Sequence, residues 1–145
     1  MKYTILFPRN THSTPMSLLL LYLRVVFGLL FMLHGIDKLE NFASLSYAFP
    51  SIAGLGSRLS LIMAIMAELF CAIAVVIGLL FRLALIPIIV MMTIAFSLVH
   101  GGSIAQGELA LIYLLIFLLL EITGPGKYSV DMLANAYFSR KEQVL

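Results

Sequence analysis

Charge is scarce in this chain. Only 11% of its 145 residues are Asp, Glu, Lys or Arg, where about 25% is usual for soluble domains, and 62% are hydrophobic against the usual roughly 45–50%. A soluble domain of this length keeps too many residues near its surface to hide that apolar content, so a freely soluble enzyme is excluded. The net charge is +2 and nowhere do three basic residues run together, which excludes a nucleic-acid partner. Cys71 is the single cysteine, which rules out an intramolecular disulfide, a CxxC redox pair and a thiolate-rich metal site. No HExxH-type ligand spacing occurs. The opening MKYTILFPRNTHSTP has Lys2 and Arg9 but no long apolar run before Pro8, so it does not read as a secretory signal. The apolar stretch from Met16 lacks a small-x-small cleavage site and is expected to stay in the mature protein.

Four apolar runs make up most of the rest, at about residues 16–34, 59–81, 83–99 and 108–123. A membrane-spanning helix needs about 20 residues. The first three runs meet this, and the fourth does so if residues 104–107 are helical or the bilayer thins locally. Arg82 marks a tight turn, and Pro87 falls in the early turns of the third run, where a missing N–H costs least. The expected fold is all-α, an integral membrane four-helix bundle with the lipid bilayer as its first partner. Lys2, Arg9, Arg82, Lys127, Arg140 and Lys141 fall on the face holding the termini, against Lys38 and Arg58 opposite, so both termini are expected to be cytoplasmic. The organisation expected is a cytoplasmic segment over 1–15, the four-helix domain over 16–123, and a cytoplasmic turn with a short amphipathic tail over 124–145. In that tail Ser129 is placed to cap VDMLANAYFSRK, whose apolar face can lie along the inner leaflet.

Depth arithmetic picks out candidate residues. Arg24 lies ten residues below His34 and Glu68 ten below Arg58, about 15 Å in both cases, so the two are expected to pair near the midplane. Gly28, one turn after Arg24, removes bulk for that approach. Such a pair either fixes helix register or also lines a cofactor or substrate cavity; a third reading has the two groups snorkelling apart. His34, Asp37, Lys38, His100 and Glu108 gather at the outer face. Two histidines with a carboxylate can bind a metal, exchange protons, hydrogen-bond a quinone carbonyl or ligate haem iron, and they can equally just close helix ends. The candidate cofactor-binding residues are therefore Arg24, His34, Lys38, Glu68, His100 and Glu108, with Phe31 and Phe96 as walls for a ring. Quinone ranks ahead of haem, and no metal is assigned. Glu121 reads as a boundary residue, Tyr113 as a bystander and Cys71 as a small buried hydrophobe.

The ordered pieces RVVFGLLFMLHGIDKLENF (24–42), AELFCAIAVVIGLLFR (67–82), HGG (100–102) before Glu108, and GPGKYSVD (124–131) make a specific combination. With them the chain resembles the DoxX family of small four-span bacterial membrane proteins. The resemblance marks Arg24, Gly28, His34, Gly35, Lys38, Glu68, His100, Glu108, Gly124, Pro125, Gly126, Ser129 and Asp131. It implies an inner-membrane location and a redox-linked subunit that binds a quinone or a partner oxidoreductase, since family members occur as subunits of thiosulfate–quinone oxidoreductase. A complete oxidoreductase acting alone is not implied. A small-solute or ion carrier using the buried charges, and a non-catalytic scaffold for a soluble redox partner, are the alternatives. Homodimers are the commonest small assembly, so a homo-oligomer fits as well.

Overall fold

The computed structural model describes residues 12–52 and 54–142. In chain order its helices are α1 (Thr14–Glu40), α2 (Phe42–Ala48), α3 (Ser57–Ile77), α4 (Phe81–Val99), α5 (Ile104–Thr123) and α6 (Val130–Glu142). Of these, α1, α3, α4 and α5 are long and apolar enough to cross a membrane. The buried stripe of α1 is Ser17, Leu20, Arg24, Gly28, Phe31 and Gly35, and that of α5 is Gly107, Ala110, Tyr113, Phe117 and Leu120. Steps of three and four residues are the signature of a helix with one inward face. Those inward faces are rich in small, aromatic and polar side chains, while Leu18, Leu19, Leu29, Leu30 and Leu33 of α1 point outward. Lipid is as apolar as leucine, so in a bilayer the leucines face the solvent and small residues take the helix contacts. The bundle closes as α1 packs on α3, α3 on α4, α4 on α5, and α5 back on α1.

The helix limits differ from the expected runs in ways that matter. α1 does not stop at His34 but continues through HGIDKLE to Glu40, 27 residues in all or about 40 Å. Gly35 is tolerated inside it because α3 lies against it: a Cβ there would sit 3.0 Å from Glu68 C and Leu69 N. α3 ends at Ile77, where Gly78 turns left-handed at φ +72, so the tight turn is at residues 78–80 and Arg82 already belongs to α4. Pro87 is the seventh residue of α4, past the first turn, and the Leu83 carbonyl loses its usual helical donor. Residues 104–107 are helical with a kink at Gly107, which brings α5 to 20 residues. Two stretches are π-helical, Met66–Cys71 within α3 and Ala95–Val99 at the end of α4.

The expected Arg24–Glu68 pair is not formed. Arg24 lies opposite Val76, eight residues or about 12 Å further along α3 than Glu68, because α1 reaches six residues past the end assumed for it. Its guanidinium donates from Nε to the Val76 carbonyl (3.1 Å), from Nη1 to Pro125 (2.7 Å) and from Nη2 to Tyr128 (2.5 Å), with the Phe81 ring 6.0 Å away. These bonds tie GPGKYSVD under the bundle. Asp131 in turn accepts the Leu80 and Phe81 N–H groups at 2.8 and 2.9 Å, supplying the first turn of α4 with the acceptors a helix start lacks, and its own N–H donates to the Gly78 carbonyl. Leu80, left-handed at φ 44, is held in that uncommon conformation by this contact. Ser129 Oγ accepts the Met132 N–H and caps α6 as the sequence predicts. His12 Nε2 lies 2.8 Å from the Thr123 carbonyl oxygen, so the start of α1 and the end of α5 share this end of the bundle. Lys2 and Arg9 of the charge count lie outside the described residues, as does most of the 1–15 segment; Arg140 and Lys141 are described only as helix.

Candidate functional site

At the other end of the bundle the four long helices separate around a cavity of about 300 Å³. Five polar side chains line it: His34 and Lys38 from α1, Glu68 from α3, His100 at the end of α4, and Tyr113 from α5. The rest of the wall is apolar, with Phe31, Ala64, Met91, Met92 and Ala110 among it.

Helix geometry explains why these residues meet. Lys38 continues the inward stripe of α1, three residues past Gly35, and Gly35 lets α1 approach the backbone of α3 beside Glu68. Lys38 Nζ donates to Glu68 Oε2 at 2.6 Å, the one salt bridge among the described residues. The Glu68 side chain is 6% exposed and that of Lys38 21%, so the pair is shielded on its glutamate side. Glu68 sits in the π-helical turn Met66–Cys71, and His100 directly follows the π-helical Ala95–Val99. Wide turns of this kind recur at functional sites because they re-aim side chains that an α-helix would point elsewhere. The Gly102 N–H returns to the Phe96 carbonyl, which ends α4 through left-handed Gly101 and Gly102. A Cβ on Gly107 would fall 2.9 Å from Phe96 Cδ2 and 3.0 Å from His100 Cβ, so the glycine lets α5 pass the His100 turn.

Tyr113 is the residue the sequence reading set aside. Its ring meets His34 edge-on with centroids 5.7 Å apart, and it packs on Phe31 at 5.1 Å and on Phe117 at 6.0 Å. The three- and four-residue steps of the α5 stripe were the signal that placed it inward.

Of the six candidate residues, His34, Lys38, Glu68 and His100 come together here, and Arg24 and Glu108 do not. Arg24 is held at the opposite end by three carbonyls. Glu108 is exposed, since it stands two residues from Ala110 and the two face away from each other on a helix. Phe31 lines the cavity, whereas Phe96 packs beside Gly107 instead. Asp37 is exposed and accepts from Asn41 Nδ2 at the end of α1. Such a set offers N–H and O–H donors to a small polar head group, and carboxylate and ammonium groups of this kind can exchange protons with a guest.

No curated protein and no solved structure matches the chain. The DoxX family model matches residues 19–101, more than half of the chain, and covers Arg24, His34, Lys38, Glu68 and His100. With four long apolar helices as well, the chain is a multi-pass inner-membrane protein and belongs to the DoxX family.

Proposed function

We propose that this protein is a redox-linked membrane subunit whose cavity holds a quinone head group, and that it works with a partner oxidoreductase. The observation carrying this reading is that His34, Lys38, Glu68, His100 and Tyr113 converge on one otherwise apolar cavity. A quinone presents two carbonyl acceptors on a flat ring. His34, His100 and Tyr113 carry N–H and O–H groups able to donate to them, and Phe31, Met91 and Met92 wall the ring. Lys38 and Glu68 neutralise each other at 2.6 Å, so an uncharged guest meets no unpaired charge. About 300 Å³ lies at the small end of ligand pockets and suits one ring rather than a tetrapyrrole, which favours quinone over haem. A partner oxidoreductase belongs to the reading because the chain has a single cysteine and no CxxC pair to pass electrons on.

The test is titration of a quinone analogue onto detergent-solubilised protein. Binding at micromolar concentration is expected, and His100→Ala should weaken it at least tenfold, about 1.4 kcal/mol. Tyr113→Phe should weaken it too while leaving the ring contacts in place. Equal binding by wild type and the His34→Ala/His100→Ala double variant overturns the reading.

We also propose that both termini are cytoplasmic. Arg82, Lys127 and the Arg24 clamp share the end that holds the start of α1 and the end of α5, against Lys38 and Arg58 at the other.

A further inference from the structure

Three observations bear on how a ligand reaches the cavity. The first is the distribution of exposure around its lining. Glu68 and Tyr113 are buried at 4% and 5%, and His34, Lys38 and His100 are only partly exposed. The wall reaches the surface of the bundle at Val99 and Leu109, which are 46% and 54% exposed, lie on spanning helices and are apolar, and at Pro50 of the α2–α3 connector, which is apolar as well. The second is the cover toward water. Phe49, Pro50 and Ile52, from the α2–α3 connector, form part of the same wall. That connector is fastened, with the Ile52 N–H on Ser60 Oγ at 2.9 Å, the Gly56 N–H on Ser51 Oγ at 3.0 Å, and Ser60 Oγ on the Gly56 carbonyl at 2.8 Å. The third is size: about 300 Å³ holds a head group and leaves a long tail outside.

From these we infer that the cavity takes an uncharged amphiphile that arrives from the bilayer, polar head first, past Val99 and Leu109, and leaves its tail in the lipid at that rim. The inference rests on the quinone reading for the head group and adds the route and the ligand class. A water-soluble anion is disfavoured on the same grounds: Lys38 on the wall is already bound to Glu68, and the roof is apolar. Polar groups at the bottom and apolar groups at a lipid-facing rim match a molecule dissolved in the membrane.

The chain contains no tryptophan, so a single introduced one reports its own surroundings. Leu109→Trp and, separately, Val99→Trp would be placed in liposomes made with ordinary or acyl-chain-brominated lipid. Both sites are already exposed, so the larger ring needs no repacking. Brominated lipid should quench each tryptophan about twofold or more, aqueous iodide should not, and a decyl-substituted benzoquinone should reduce the bromine quenching while the tail-less benzoquinone does so at least tenfold less effectively. Quenching by iodide rather than brominated lipid at both positions overturns the route. So does decylquinone binding that leaves bromine quenching unchanged. Decylphenol serves as an uncharged amphiphile that is not a quinone. Protection by decylphenol with no binding of decylquinone would remove the quinone reading and keep the inference, and protection by neither would remove both.

Discussion

Lys38 of α1 reaches Glu68 of α3 with 2.6 Å between Nζ and Oε2, and Gly35, one turn earlier on α1, is the point at which the two backbones touch. The contact makes the ion pair part of the packing. Glu68→Gln should destabilise the detergent-solubilised protein by about 1–3 kcal/mol. That is below the roughly 3–5 kcal/mol of a fully buried broken pair, because Lys38 keeps 21% exposure and can turn toward water. Adding Lys38→Met should recover part of the loss. In the corresponding cycle, Glu68→Gln with Arg24→Met should be additive within about 0.5 kcal/mol, since the two residues share no partner. Thermal or denaturant unfolding of the single and double variants measures both.

Gly35→Ala adds a methyl 3.0 Å from Glu68 C and Leu69 N and 3.1 Å from Glu68 Cβ. Backbone cannot yield as a flexible side chain does, so α1 must move away from α3. The expected result is destabilisation by about 1–3 kcal/mol together with weaker quinone binding, because the displacement lengthens the Lys38–Glu68 contact. Wild-type affinity in Gly35→Ala would show that the close approach does not position the site.

Arg24→Lys retains a positive charge but not the fork that serves the Val76, Pro125 and Tyr128 carbonyls together. A loss of about 2 kcal/mol or more is expected, with faster proteolysis in residues 124–131 and unchanged affinity in the cavity at the other end. Gly78→Ala should behave alike: its methyl would fall 2.6 Å from Ser129 Cβ and 2.8 Å from Arg24 Nη1, at a φ of +72 that alanine disfavours.

Orientation is read by labelling single cysteines in a Cys71→Ser background. Tyr47→Cys, at a position 91% exposed on α2, should react with an impermeant maleimide added to intact cells, and Lys127→Cys should react only after lysis. The reverse pattern would invert the assignment.

The sequence by itself determined the class of the protein and much of its inventory. Apolar runs of spanning length and the near absence of charge leave a bundle of membrane helices as the only way to satisfy the backbone. Of the motifs that carry the resemblance, RxxxG, HGxxK and the mid-span Glu lie within the residues that match the family, HGG reaches its end, and GPGxxSxD falls beyond it. Ser129 as a cap and Phe31 as a wall were also legible, since capping and helical periodicity are local properties. Pairing was not. Which charge meets which depends on where two antiparallel helices are aligned, and an error of a few residues at one end moves a partner by two turns. Gly35 and the charges that follow it read as an end to the apolar run at His34, so only packing shows that α1 runs on to Glu40, which brings Lys38 to Glu68 and sends Arg24 to the carbonyls of residues 125 and 128. The π-helical turns at Glu68 and before His100 were invisible for a related reason. They add a residue to a helical turn without any marker in composition. Helical periodicity turns Tyr113 inward, but only the tertiary structure sets His34 at its edge and puts its ring on the cavity wall.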